Sequence, residues 1–258
     1  MMKLVAGFWQ WMRRMVSRSL DFLYPRYCVF CLQDIRATDY LHICQSCRDA
    51  LMPRNSMNIC THCGALAKGF SEQGVFFLQK GASCSYCRKR NFRFRRVKCL
   101  WNFRGLPREW IHQLKYYNGE YLMADLEKIL SEYSEWYEYL AHAILIPVPL
   151  HWRRHWQRDY NQSHLIAHAM AKISGAFVIP LLSRCKFSHS QTELARCERW
   201  NNVQGVFTVN RRARGIDRSR RVILVDDVLT TGATLHECAT ILHENGFERV
   251  DVAVLAHG

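Results

Sequence analysis

The chain has 258 residues, is 49% hydrophobic, and carries 36 Lys and Arg against 22 Asp and Glu, a formal net charge of +14. That length suits one medium domain plus a small one, and that composition excludes a disordered chain. The positive balance points to polyanionic partners: nucleic acid, nucleotides or anionic lipid.

No stretch approaches the roughly 18 uninterrupted apolar residues that a transmembrane helix needs. Residues 1–25 read as a basic amphipathic helix ending before Pro25, with Leu4, Phe8, Trp11, Met15 and Leu20 on one stripe. Gln10, Arg13 and Arg14 break its apolar run and no small-residue cleavage site follows, so it does not read as a signal peptide. The stripe is expected to pack on the protein itself, with weak membrane-surface contact as the alternative. Without a signal peptide the expected location is the reducing cytoplasm.

Residues 26–96 are cysteine-rich. Cys28/Cys31, Cys44/Cys47, Cys60/Cys63 and Cys84/Cys87 each enclose two residues, with twelve residues between the first two pairs and twenty between the last two. Each turn brings two thiolates to one ion, and two turns complete a tetrahedral Cys₄ site, so one or two structural zinc ions are expected. Pairing in sequence order is the default; crossed pairing stays open, as does a ligand role for His42 or His62. Cys99, Cys185, Cys197 and Cys238 read as core thiols.

Residues 88–98 read RKRNFRFRRVK. Arg88, Lys89, Arg90, Arg93, Arg95, Arg96 and Lys98 can neutralise phosphates while Phe92 and Phe94 stack on unpaired bases. Arg153 and Arg154, in HWRRHWQR, form a second such segment, and the arginines of 211–221 a third, in a loop.

Residues 97–258 alternate between strand and helix. Strands are predicted at Val97–Phe103, Ala143–Val148, Ala176–Pro180, Val206–Val209, Arg221–Val225 and Val250–Leu255. Helices are predicted at Pro107–Tyr116, along the apolar stripe from Leu122 to Leu140, at Tyr160–Ile173 and at Gly232–Asn245, with a polar loop over Ser183–Gln191. The alternation argues for an α/β fold with a mainly parallel sheet flanked by helices, preceded by a small zinc-ribbon domain.

The strand that starts at Arg221 climbs into Asp226 and Asp227, and Thr230, Thr231, Gly232, Ala233 and Thr234 then turn into a helix. Backbone amides, hydroxyls and the helix N-terminus make that loop a phosphate cradle. The carboxylates can accept hydrogen bonds from sugar hydroxyls or hold Mg²⁺. Two adjacent carboxylates at a strand end need something to neutralise them. Phosphate, diol and divalent cation together describe a ribose 5-phosphate.

VDDVLTTGAT resembles the phosphoribosyl pyrophosphate signature of type I phosphoribosyltransferases. With IHQLKY (111–116), IPVPLHWRRHWQRDYNQ (146–162), QTELARCERWNNVQGVF (191–207) and the double zinc ribbon, nearly the whole chain resembles the ComF (competence protein F, GntX-like) family. The resemblance implies a type I phosphoribosyltransferase fold. It implies that Asp226 and Asp227 bind ribose hydroxyls and magnesium-linked water, and that Thr230 to Thr234 bind the 5-phosphate. It places Pro147, Val148, Pro149, Leu150 and His151 in the pyrophosphate loop, and Arg184, Lys186 and Gln191 in the mobile loop. Asn161 and Gln162 match a pair that positions the pyrophosphate loop. Asp159 departs from the family's glycine, and an acidic group beside pyrophosphate is unfavourable. The chain stops soon after Leu255, which leaves no C-terminal base-binding segment, and no motif specifies a general base.

The expected function is therefore that of a competence-type protein. It would handle incoming single-stranded DNA in natural transformation and carry a Mg²⁺-dependent site for phosphoribosyl pyrophosphate or a nucleotide. The alternatives are a metabolic phosphoribosyltransferase of unknown acceptor, or a non-catalytic adaptor whose ribbons dock a helicase or DNA-uptake protein. Three parts are expected: the helix 1–25, the double zinc ribbon 26–96 and the phosphoribosyltransferase-like domain 97–258.

Overall fold

The structure, a computed structural model, describes residues 26–35, 38–51, 53, 59–65, 70–71, 74–75, 84, 87, 90–150, 160–184 and 206–258. The expected N-terminal helix lies outside the described residues, as do Arg88, Lys89, His151, Arg153, Arg154, Asp159, Lys186 and Gln191. The chain divides into two compact units, Met1–Leu51 and Met52–Gly258.

The first unit is small. Cys28 and Cys31 lie in the turn closed by a bridge between Tyr27 and Asp34, and Cys44 and Cys47 sit at the start of the short helix α1 (Gln45–Ala50). Ile35, Ile43 and Leu51 are fully buried. Three such side chains cannot offset the entropy of ordering the segment, so cross-linking by a metal is what its sequence calls for.

The second unit contains an antiparallel ribbon of β1 (Phe70–Ser71) and β2 (Gly74–Val75). Its sheet begins with β3 (Val97–Asn102). Helix α2 (Leu106–Tyr116) follows, with Pro107 in its first turn and Trp110, Ile111 and Leu114 buried. The apolar stripe that runs to Leu140 forms two helices, α3 (Met123–Ser131) and α4 (Ser134–Leu140), because Tyr133 between them is extended (φ −121°, ψ 100°). Next come β4 (Ile144–Pro147), α5 (Gln162–Ser174), β5 (Phe177–Val178), β6 (Leu182–Arg184) and β7 (Phe207–Val209). Strand β8 (Val222–Leu229), helix α6 (Ala233–Glu244) and strand β9 (Val250–His257) complete the unit.

The sheet order is β3-β9-β8-β4-β5, with every pair parallel. Strands β6 and β7 pair antiparallel in a separate ribbon at the two ends of residues 185–205. Part of the expected Ser183–Gln191 loop is therefore strand. Because side chains alternate across a strand, the buried runs of β4, β8 and β9 need cover on both faces. Val222, Leu224, Val250, Val252 and Val254 pack in one cluster with Leu235, Cys238 and Leu242 of α6. Helix α5 packs on β4 and β8, and on α3 and α4.

That first face is also covered by Cys60, Cys63, Cys84, Cys87, Phe92 and Phe94. The second cysteine group thus belongs to the same core as the sheet, whereas the first stands in its own unit. In each group all four Sγ atoms lie within 4.8 Å of one another, with pairing in sequence order. Tetrahedral zinc–thiolate bonds require Sγ separations of about 3.8 Å. The Cys31–Cys44, Cys60–Cys87 and Cys63–Cys84 separations are 3.4, 3.7 and 3.5 Å. Backbone amides of Cys47 and Cys87 donate to the Sγ of Cys44 and Cys84, which supports thiolate charge. In the second group a hydrogen bond from Cys63, aided by nearby amides, pulls Cys60 down to about 4, and burial pushes Cys87 up to about 12. A divalent cation makes four thiolates tolerable together. The donor set fits structural zinc, and neither His42 nor His62 is needed; His62 Nδ1 instead meets the Arg95 carbonyl at 2.8 Å.

Two zinc ions per chain are expected by elemental analysis, and one in either Cys28→Ser or Cys60→Ser. The two variants should differ in stability. Cys60→Ser should destabilise the sheet unit by on the order of 4 kcal/mol or more in chemical denaturation, and Cys28→Ser should leave that transition in place.

Candidate functional site

In an open parallel sheet, ligands bind beyond the carboxyl ends of the strands, where chain connections leave in opposite directions. Here that point lies between β4 and β8. The connection from β4 leads outward to β5, and that from β8 leads the other way to β9. Pro147 is in register with Val225, and the Val148 amide donates to the Val225 carbonyl at 2.9 Å. The Pro147–Leu150 turn is thereby seated next to the aspartates. Asn161, at the N-terminus of α5, fixes it further: its Nδ2 donates to the Val148 carbonyl at 3.1 Å while its Oδ1 caps the helix at the Ser163 amide.

Strand β8 continues through Leu229, four residues beyond the predicted end at Val225. Asp226 and Asp227 are therefore strand residues on opposite faces, both partly buried. Lys115, at the end of α2, pairs with Asp227 Oδ2 at 2.8 Å. The Ser163 hydroxyl donates to Asp226 Oδ1 at 2.9 Å, and the Asp227 amide donates to the same oxygen at 2.9 Å. Lys115 brings one positive charge to the pair, while Asp226 is held by hydrogen bonds alone. Lys115 and Ser163 were missed as site residues in the sequence. Lys115 lies in the IHQLKY segment, but nothing in its spacing tied it to residue 227. Tyr160 helps place that helix end by donating to the Leu114 carbonyl at 2.8 Å.

Asp226 Oδ2 and Asp227 Oδ1 accept no hydrogen bond among the described residues. Two free carboxylate oxygens fit Mg²⁺, which binds through one or two carboxylates while keeping waters and ligand phosphates. They fit the hydroxyls of a ribose equally well.

Past Leu229 the chain turns through Thr230, which is exposed, and Thr231, which is buried with its Oγ1 accepting from the Ala233 amide at 3.4 Å. Gly232 has φ +80° and precedes the first turn of α6. A Cβ at this position would lie 2.6 Å from Cε1 of Phe92. The residue must be glycine both for its backbone and for this contact. Phe92 is stacked on Phe94 at 4.7 Å and touches His62 and His236 edges. The Thr230–Thr234 loop therefore rests, at Gly232, on the wall of the second cysteine group.

This corrects two of the expected nucleic-acid contacts. Phe92 and Phe94 are buried and cannot stack on bases. The segment alternates with period two, so Asn91, Arg93 and Arg95 face outward while Phe92 and Phe94 face the core. Arg95 and Arg96 are exposed and pair with Asp251, Lys98 pairs with Glu135 at 3.6 Å, and Arg90 is half-buried. Arg184 ends β6 with its guanidinium 5.3 Å from the Phe207 ring centroid.

A phosphoribosyl transferase domain family matches residues 180–258, and a double zinc ribbon domain family matches residues 19–88. Competence protein F of Haemophilus influenzae is 24% identical over 223 residues, covering 83% of this chain and 90% of that one. Competence protein ComFC of Bacillus subtilis is 29% identical over 211 residues, 79% of each chain. DNA utilization protein YhgH of Escherichia coli K12 is 25% identical over 239 residues, 88% of this chain and 95% of that one. Among solved structures, the glutamine phosphoribosylpyrophosphate amidotransferase of B. subtilis aligns at TM-score 0.35 and 21% identity, over 53% of this chain and 26% of that one.

Burial, and then the charge of Asp227, push the Asp226 carboxyl up to about 7, against hydrogen bonds from the Asp227 amide and Ser163. The folded state then holds a proton that the unfolded state releases at an ordinary carboxylate pKa. Asp226 thus favours folding most at low pH, and this contribution is lost as pH rises through about 7. Asp226→Asn should remove that loss. In thermal melts of zinc-loaded protein, the stability of Asp226→Asn relative to wild type should increase from about pH 5.5 to about pH 8. A pH-independent difference would show that Asp226 is ionised throughout.

Proposed function

Because the chain belongs to the ComF family, which joins a double zinc ribbon to a phosphoribosyltransferase domain, we propose that it is a competence-type protein. In this reading it handles single-stranded DNA and binds phosphoribosyl pyrophosphate or a related ribose 5-phosphate with Mg²⁺ at the β4/β8 edge. One observation carries the ligand assignment. Asp226 and Asp227, held by Ser163 and Lys115, each keep one oxygen that accepts no hydrogen bond among the described residues, a few residues ahead of the Thr230–Thr234 loop in the chain.

Each part of the ligand has a complementary group. The loop amides and threonine hydroxyls suit the 5-phosphate. The free carboxylate oxygens suit the ribose hydroxyls and the hydration shell of Mg²⁺. The Pro147–Leu150 turn, tied down by Asn161, suits the pyrophosphate. Arg184 stands at the root of residues 185–205, from which Lys186 and Gln191 would join the ligand. When bound, Mg²⁺ would neutralise the pyrophosphate charge. DNA handling is supported by the names of the relatives, which concern competence and DNA utilization, and by the charge of +14.

Calorimetric titration of zinc-loaded protein with phosphoribosyl pyrophosphate tests the site. Binding is expected with Mg²⁺, and at least tenfold weaker binding with EDTA. Asp226→Asn/Asp227→Asn should lose roughly 2 kcal/mol or more of binding free energy, as expected when charged contacts are removed. Equal affinity in the double variant would refute the assignment of the two aspartates.

A further inference from the structure

The opposite edge of the same sheet, at the amino ends of β3, β8 and β9, carries a second charged construction. Asp251 is the second residue of β9 and is completely buried. Its Oδ1 takes Nε of Arg95 at 3.2 Å and its Oδ2 takes Nε of Arg96 at 3.0 Å. Arg221 approaches the same Oδ2 at 3.6 Å and donates to the Tyr139 and Ala141 carbonyls. The guanidiniums of Arg96 and Arg221 lie 4.9 and 5.6 Å from the Tyr139 ring centroid. One carboxylate therefore organises three arginines contributed by two distant segments of the chain.

A solvated basic face does not look like this. Surface arginines are ordinarily free rotors, and binding an anion then costs side-chain entropy. Here Arg95 and Arg96 are anchored through Nε, with their terminal nitrogens unengaged among the described residues and their side chains 44% and 45% exposed. Arg220 and Arg249 stand beside them, exposed and without an ion pair among the described residues. The five arginines line a cleft of about 550 Å³ with Glu138, and among the described residues their ion pairs run to one carboxylate, Asp251. Asp217, near Arg220, has Oδ1 occupied by Ser219. The excess positive charge, the forked donors and the concavity fit phosphodiester groups better than a carboxylate, because a phosphodiester chain offers several anions in succession.

We infer that this amino-edge cleft is a seat for the sugar–phosphate backbone of single-stranded DNA, separate from the ribose-phosphate site. The inference rests on the DNA-handling reading above and gives it a place. Arg221 immediately precedes β8 and Thr230 immediately follows it, nine residue steps or about 30 Å along an extended strand. The two ligands can therefore be held at once, at opposite ends of one strand. The segment Arg90–Lys98 contributes through Arg95 and Arg96, not through its aromatics.

Fluorescence anisotropy of a labelled 30-nucleotide oligo-dT tests this in full-length zinc-loaded protein. Arg220→Ala/Arg249→Ala removes two cations that make no ion pair among the described residues, so folding is not at risk. It should weaken binding roughly tenfold at low salt and flatten the log–log salt slope by about 1.4, at about 0.7 per phosphate. Arg211→Ala/Arg212→Ala removes equal charge from another exposed turn and should change affinity no more than about twofold. Saturating phosphoribosyl pyrophosphate with Mg²⁺ should leave affinity within about twofold. If wild type binds but both double variants lose affinity equally, or neither does, the cleft is not the seat, although DNA binding stands. Displacement by phosphoribosyl pyrophosphate would move the strand to the other edge. No salt-sensitive binding by wild type would overturn the DNA reading itself.

Discussion

Two carboxylates on consecutive residues repel, and burial raises the cost of charging both. The carboxyl edge of the sheet depends on how that cost is offset. Lys115 reaches Asp227 from the end of α2, and Ser163 reaches Asp226 from the first turn of α5. Helices α2 and α5 must therefore be set correctly against β8 before the aspartates can share the strand. The Tyr160 bond to Leu114 and the Asn161 bond to Val148 serve that placement. Each carboxylate is held on one oxygen and accepts no hydrogen bond on the other among the described residues.

The second dependence runs through Phe92. Its ring takes the space that a side chain at position 232 would need, and it lies in the same cluster as Cys60, Cys63, Cys84 and Cys87. The second cysteine group is thereby part of the wall that shapes the Thr230–Thr234 loop. The first cysteine group, within Met1–Leu51, has a small core of its own. Two ribbons that look alike in sequence thus have different structural surroundings.

Much of this was legible in the sequence for simple reasons. Zinc spacing is a local property, so the sequence-order pairing of the cysteines follows from adjacent turns. The strand–loop–helix around Asp226 is also local, and hydrophobic periodicity revealed the elements of the parallel sheet. Long-range partners were not legible. Nothing within IHQLKY says that Lys115 meets Asp227, and nothing near Asp251 says that Arg95, Arg96 and Arg221 converge on it. The misreading of Phe92 and Phe94 had a different cause. A basic run with interleaved aromatics suggests a nucleic-acid surface, but the same run alternates with period two, and the alternation decided which side chains went inward. Aspartates are poor strand formers, so local propensity ends the strand at Val225, whereas ladder pairing with β9 extends it to Leu229.

Amide hydrogen exchange, followed by mass spectrometry on addition of phosphoribosyl pyrophosphate with Mg²⁺, most directly locates the proposed ligand. Slower exchange is expected in the Thr230–Thr234 loop and the Pro147–Leu150 turn, with no change around Arg95 and Arg249. Protection confined to the Arg95–Arg249 edge, or no protection at either edge under saturating ligand, would contradict a sugar-phosphate site at Asp226 and Asp227.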